Sequence, residues 1–186
     1  MIDLKPACHR MVEVLRGVSD DQLTSASPCR EYTVGDLIDH VDQVSRGAAA
    51  LARRDLDGLN GTATPPDAAH LGLDWRDRVA RHVRGVGEAW DDPEAWKGSG
   101  NVPGSELANE VWGKITLTEL VVHGWDIAQA TGQPFDLPER TLQACLDHVA
   151  EFVPNAPVPG LWDPSVDVAP DAPLHDRIVA ITGRTP

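Results

Sequence analysis

Positive charge is scarce in this chain, aromatic rings are few, and the cysteines form no pattern. Lys and Arg number 16 against 29 Asp and Glu, a formal net charge of -13 over 186 residues. A nucleic-acid binder needs Lys and Arg to meet phosphates, and an anionic membrane surface selects for the same residues, so neither partner is expected. The basic residues between Arg76 and Arg84 stand beside Asp74, Asp77 and Glu88, as on a solvated helix face. No run of apolar residues approaches the length of a membrane-spanning helix, and Met1 to Pro6 carry no signal-peptide core. A soluble, cytoplasmic protein is expected. Cys8, Cys29 and Cys145 make no CxxC pair and no even framework, and read as free thiols. Cys8 and Cys145 fall on apolar helical faces, Cys29 in a turn. No clean period-two alternation extends beyond four residues.

What remains is helical spacing. Hydrophobic residues make up 41% of the chain, enough for one domain with its own core. Gly and Pro gather at 57–66, 98–104 and 154–173, which read as loops. Between them apolar residues recur at three and four. Leu4, Ala7, Met11, Val14 and Leu15 predict a helix ending near Gly17. Thr33, with Asp36 three residues on, predicts an N-cap for a helix reaching about Arg54. Further helices are predicted over 74–90 and over 105–131, the latter stopped by Gly132 and Pro134. Another is capped by Asp136 and carries Leu142 to Phe152. A short last helix, with Leu174, Ile178 and Ile181, is closed by Gly183. Residues 155–170 are too Pro-rich for a helix and are expected to be extended. The expected organisation is all-α: a metal-binding helical bundle over 1–154, and a C-terminal extension over 155–186 packed on it.

One stretch carries chemistry. Glu119 and His123 are four apart and share a helix face, which Trp112 and Ile115 place inside the bundle. A carboxylate and an imidazole turned inward are costly unless something pairs with them. His40 lies among Leu37, Val41 and Val44 at core spacing. If the second and fourth long helices are neighbours, His40 meets the other two. Two imidazoles and one carboxylate suffice for a catalytic divalent metal with a position left open. The same spacing also describes an exposed ion pair and a satisfied core histidine. Neither a Cys-rich zinc pattern nor HExxH is present.

Three blocks resemble the mycothiol-dependent maleylpyruvate isomerase family, within the DinB-like four-helix bundle superfamily. They are Pro28-Cys29-Arg30-Glu31-Tyr32-Thr33 continuing to His40; Glu119 to Ala130, with His123-Gly124-Trp125-Asp126-Ile127-Ala128 the most specific run; and Pro173 to Pro186. The resemblance implies a DinB-like four-helix bundle with a short C-terminal helix and a Pro-rich extended tail. It implies a divalent metal, zinc or else nickel or another first-row ion, on His40, Glu119 and His123. It also implies mycothiol or a similar low-molecular-weight thiol as cofactor. Tyr32 stands where the family usually has Trp. The chain is also short for the separate C-terminal domain of the full isomerases.

The expected activity is thiol-dependent S-transfer or isomerisation of a small electrophilic substrate. A metal-dependent hydrolase and a non-catalytic metal-binding protein are the alternatives. Asp126 or Asp39 could orient an imidazole, or make a purely structural hydrogen bond. Trp112 and Trp125 line a pocket or fill the core. Arg78 or Arg81 could receive an acidic substrate. His82 and His148 have no partner legible in the sequence, and His9, His70 and His175 read as surface or terminal. Oligomeric state is left open.

Overall fold

Thr33 and Asp36 start the helix that organises the molecule. The Thr33 hydroxyl accepts from the Asp36 backbone N–H at 3.2 Å, and the Asp36 carboxylate accepts from the Thr33 N–H at 3.0 Å. This reciprocal cap satisfies backbone donors that the first turn otherwise leaves unpaired. In the computed structural model, which describes residues 1–55, 64–102, 105–155 and 162–186, the helix runs from Val34 to Arg53. It is α2. Before it comes α1 (Lys5–Gly17), and after it α3 (Trp75–Ala89), α4 (Asn109–Thr131), α5 (Glu139–Phe152) and α6 (Leu174–Ile181). Part of the expected 57–66 loop and of the Pro-rich tail lies outside the described residues.

The first four helices form the bundle. Neighbouring pairs are α2 with α3, α3 with α1, α1 with α4, and α4 with α2. The chain's second and fourth long helices are therefore adjacent, and α1 faces α2 across the diagonal. Met11, Leu15, Leu37, Ile38, Val83, Leu117 and Val121 fill the space between them, none more than 1% exposed. Helix α4 differs from the others: Leu117, Leu120, Val121, Val122, Trp125, Ile127 and Ala128 are buried right round its circumference. A helix apolar on every side must be covered on every side. The bundle covers one flank and α5 packs on it too, with α6 against α5. Gly124 permits a close approach, since a Cβ there would lie 2.5 Å from the Phe135 ring. Gly132 ends α4 at φ +68°, a conformation that costs glycine nothing.

Two expectations need correction. The helix expected from 105 begins at Asn109, because Ser105–Ala108 pairs antiparallel with Ser99–Val102. These strands, β1 (Ser99–Val102) and β2 (Ser105–Ala108), are four residues each, too short for alternation to register. The hairpin is held from α4: the Asn109 side chain donates to the Lys97 carbonyl and the Trp112 indole to the Gly100 carbonyl. The second correction concerns α5. Asp136 does not cap it; Pro138 is the N-cap residue, and its carbonyl receives the first helical N–H groups. A residue preceding proline is pushed toward extended backbone, so the helix cannot begin as early as Asp136 would require.

Candidate metal centre

The seam between α2 and α4 holds the polar cluster. Glu119 and His123 stand one turn apart on α4, so both side chains reach toward α2. His40 reaches back from the middle of α2. Its Nε2 lies 3.0 Å from Glu119 Oε2, and His123 Nε2 lies 3.2 Å from the same oxygen. The imidazoles meet edge to face, with ring centroids 4.9 Å apart. One ligand-type atom from each residue lies within 4.8 Å of the other two. Among the described residues this is the one group of three or more His, Cys, Asp or Glu gathered so tightly. His123 is buried, while the side chains of His40 and Glu119 stay 26% and 20% exposed. The cluster is thus partly open to solvent at His40 and Glu119.

Second partners fix its orientation. His123 Nδ1 lies 3.0 Å from Asp126 Oδ2, which leaves Nε2 facing Glu119. Arg184, three residues past the end of α6, donates Nε and Nη2 to the two Asp126 oxygens at 3.2 and 2.9 Å. Tyr32 stacks over the His40 ring at 6.1 Å. Burial works against the Glu119 carboxylate, yet hydrogen bonds from His123 and His40 hold its pKa well below the usual range. Burial also works against a charged His123, but Asp126 and Glu119 outweigh it and raise the imidazole to about 9. The Asp126 carboxyl is lowered despite its burial, by His123 and Arg184.

This donor set suits a divalent ion. Tetrahedral zinc, with donors at about 2.0–2.1 Å, holds them roughly 3.4 Å apart. The two N–O separations, 3.0 and 3.2 Å, need only a small expansion, and all three donor atoms lie within 4.8 Å of one another. Asp126 behind His123 is the carboxylate–histidine arrangement that presents one ring nitrogen and ties down the other.

Other candidates fall elsewhere. Asp39 does not orient His40; it accepts from the Gln43 side chain and the Asp67 backbone and pairs with His70 Nδ1 at 2.9 Å. His70 is accordingly tethered rather than free at the surface. His82 does have a partner, Asp42, at 2.7 Å. Arg78 also approaches Asp42, at 3.6 Å, across the α2–α3 seam, and Arg81 is exposed. Trp125 is core, and Trp112 is half-buried against the hairpin. His175 is not a surface residue: it is half-buried between the Trp125 and Phe135 rings. His148 stacks on Phe152, and burial pushes it down to about 4. Burial raises the Cys29 thiol to about 11 and those of Cys8 and Cys145 to about 12. Sequence reasoning missed Arg184, whose partner lies 58 residues away.

A four-helix bundle with two histidines and a glutamate converging at one seam defines the class: a helical domain with a metal-ligand-type cluster. The chain belongs to the mycothiol maleylpyruvate isomerase N-terminal domain family, whose model matches residues 4–128. That match contains His40, Glu119, His123 and Asp126, and ends before α5. Two uncharacterized proteins, from two strains of Mycobacterium tuberculosis, are each 31% identical over 183 residues, covering 92% of this chain and 90% of theirs. No solved structure matches the chain. No helix among the described residues is long and apolar enough to cross a membrane.

Proposed function

We propose that the chain holds one divalent metal ion, zinc or another first-row ion, on His40, Glu119 and His123. We further propose that it works with mycothiol or a similar small thiol, joining the thiol through its sulfur to a small electrophilic substrate or isomerising that substrate. The convergence of His40 Nε2 and His123 Nε2 on a single Glu119 oxygen carries this reading. When bound, such an ion supplies a Lewis acid that stabilises a thiolate near neutral pH.

The chain's own residues do the rest. Asp126 accepts the Nδ1–H of His123 and so keeps the Nε2 lone pair turned to the site. Glu119 contributes the single negative charge of the ligand set. Two neutral imidazoles and one carboxylate leave a dication with net positive charge, which favours an anionic fourth partner. The exposed edges of His40 and Glu119 give that partner its approach. The chain's cysteines are poor candidates for the nucleophile, since burial raises all three thiols.

Cobalt substitution tests the proposal. Cobalt-loaded protein titrated with mycothiol is expected to develop a thiolate-to-cobalt charge-transfer band. Cobalt bound with no such band at saturating mycothiol would contradict the thiol assignment and favour hydrolysis by a metal-bound water.

A further inference from the structure

Asp126 is the most deeply buried carboxylate at the site, with no exposed surface, and an isolated charge there would be untenable. It is satisfied from two directions. His123 Nδ1 meets Oδ2 at 3.0 Å, and the Arg184 fork meets both oxygens. Arg184 is itself 6% exposed, and its Nη1 donates to the Thr182 carbonyl at 2.8 Å, so its head group has one fixed pose. The backbone around it is fixed as well. Arg184 N–H bonds to the Val179 carbonyl, and Gly183 adopts φ +86° directly against Asp163. Asp126 and His123 lie within the stretch that the family model matches, and Arg184 lies beyond it. The last residues of the chain therefore complete a hydrogen-bonded line that ends on a ligand-type imidazole.

We propose that Arg184 is a positioning residue of the metal centre, acting through Asp126 to lock His123 with Nδ1 as donor and Nε2 free to ligate. The inference rests on the metal reading above and extends it to the C-terminal segment. A guanidinium suits the task better than an ammonium, because its planar fork engages both carboxylate oxygens and fixes the carboxylate plane. With the fork gone, the Asp126 carboxyl stays buried but can rotate, and the His123 ring loses its reference.

The test compares four proteins: wild type, Arg184→Met, Arg184→Lys and Val179→Ala. Val179 is buried in α6 and its apolar side chain makes no hydrogen bond to Asp126, so its truncation loosens the same segment while leaving the groups of the fork in place. Cobalt affinity is measured by competition with a chelator, alongside the ligand-field spectrum of bound cobalt and the melting temperature of metal-free protein. Arg184→Met is expected to weaken cobalt binding about ten- to a hundredfold and to alter the spectrum. Arg184→Lys should recover part of the affinity. Val179→Ala should melt lower yet keep wild-type affinity and spectrum. Wild-type affinity and spectrum in Arg184→Met would overturn the positioning role. So would a loss in Val179→Ala equal to that in Arg184→Met, since that would reduce Arg184 to a structural tie. Wild-type protein that takes up no cobalt would overturn the metal reading itself, and this inference with it.

Discussion

Helix α2 carries histidine–carboxylate contacts on two sides, and they differ in kind. Toward α4, His40 and His123 share one carboxylate oxygen, and a second carboxylate, itself held by Arg184, ties the far nitrogen of His123. Toward α3 and the turn before it, the contacts are separate pairs, His82 with Asp42 and His70 with Asp39. There each carboxylate serves one imidazole, together with ordinary helix-surface partners such as Gln43 or Arg46. In the second arrangement each imidazole has a carboxylate of its own. In the first, three ligand-type groups converge on one point, and both imidazoles meet the same carboxylate oxygen. Convergence of this kind, rather than the mere pairing of His with a carboxylate, separates a site from a structural tie.

Substitution at the two seams sharpens that contrast. The largest effect is expected for His123→Ala, which should fall from one bound divalent ion per chain to almost none by elemental analysis. His82→Ala should retain the full complement; an equal loss there would erase the distinction between the seams. Next comes Asp42→Ala. It should cost about 1–3 kcal/mol in denaturant unfolding, by leaving His82 without its hydrogen-bond acceptor and Arg78 without its ion-pair partner, with no change in metal content. Arg78→Ala should likewise leave metal content alone.

The smallest effect concerns pH at the Asp39–His70 pair. The bond to Asp39 raises the His70 pKa above its ordinary value, and His70, Asp67 and Gln43 lower that of Asp39. The pair's stabilisation is then fully present below about 6.5, the free histidine value, down to the free aspartate value near 3.9. It fades as pH rises through the raised His70 value, and as pH falls through the lowered Asp39 value. Replacing His70 with Gln should flatten the alkaline limb of the stability profile by a small amount; an unchanged profile would show the pair to be inert.

Much of the fold was legible because helical period, caps and stops agreed. Thr33 and Asp36 marked the start of α2, and Gly132 marked the end of α4. The hairpin at 99–108 was not legible, because four-residue strands carry no readable period and their anchors, Asn109 and Trp112, act through tertiary contacts. At the candidate site, the spacing of Glu119 and His123 and the position of His40 in an apolar stripe named the trio that the fold brings together. Asp126 was visible as one of two carboxylates able to support a histidine, and geometry selects it over Asp39. Arg184 and the Asp42–His82 pair were out of reach, since no local spacing links residues 58 or 40 positions apart.

Anomalous diffraction from crystals of metal-loaded protein, recorded on both sides of the metal's absorption edge, tests the central claim most directly. The account expects one strong peak between α2 and α4, about 2.0–2.2 Å from His40 Nε2, a Glu119 oxygen and His123 Nε2. No peak at that seam, or the principal peak at Asp42 and His82 instead, would contradict it.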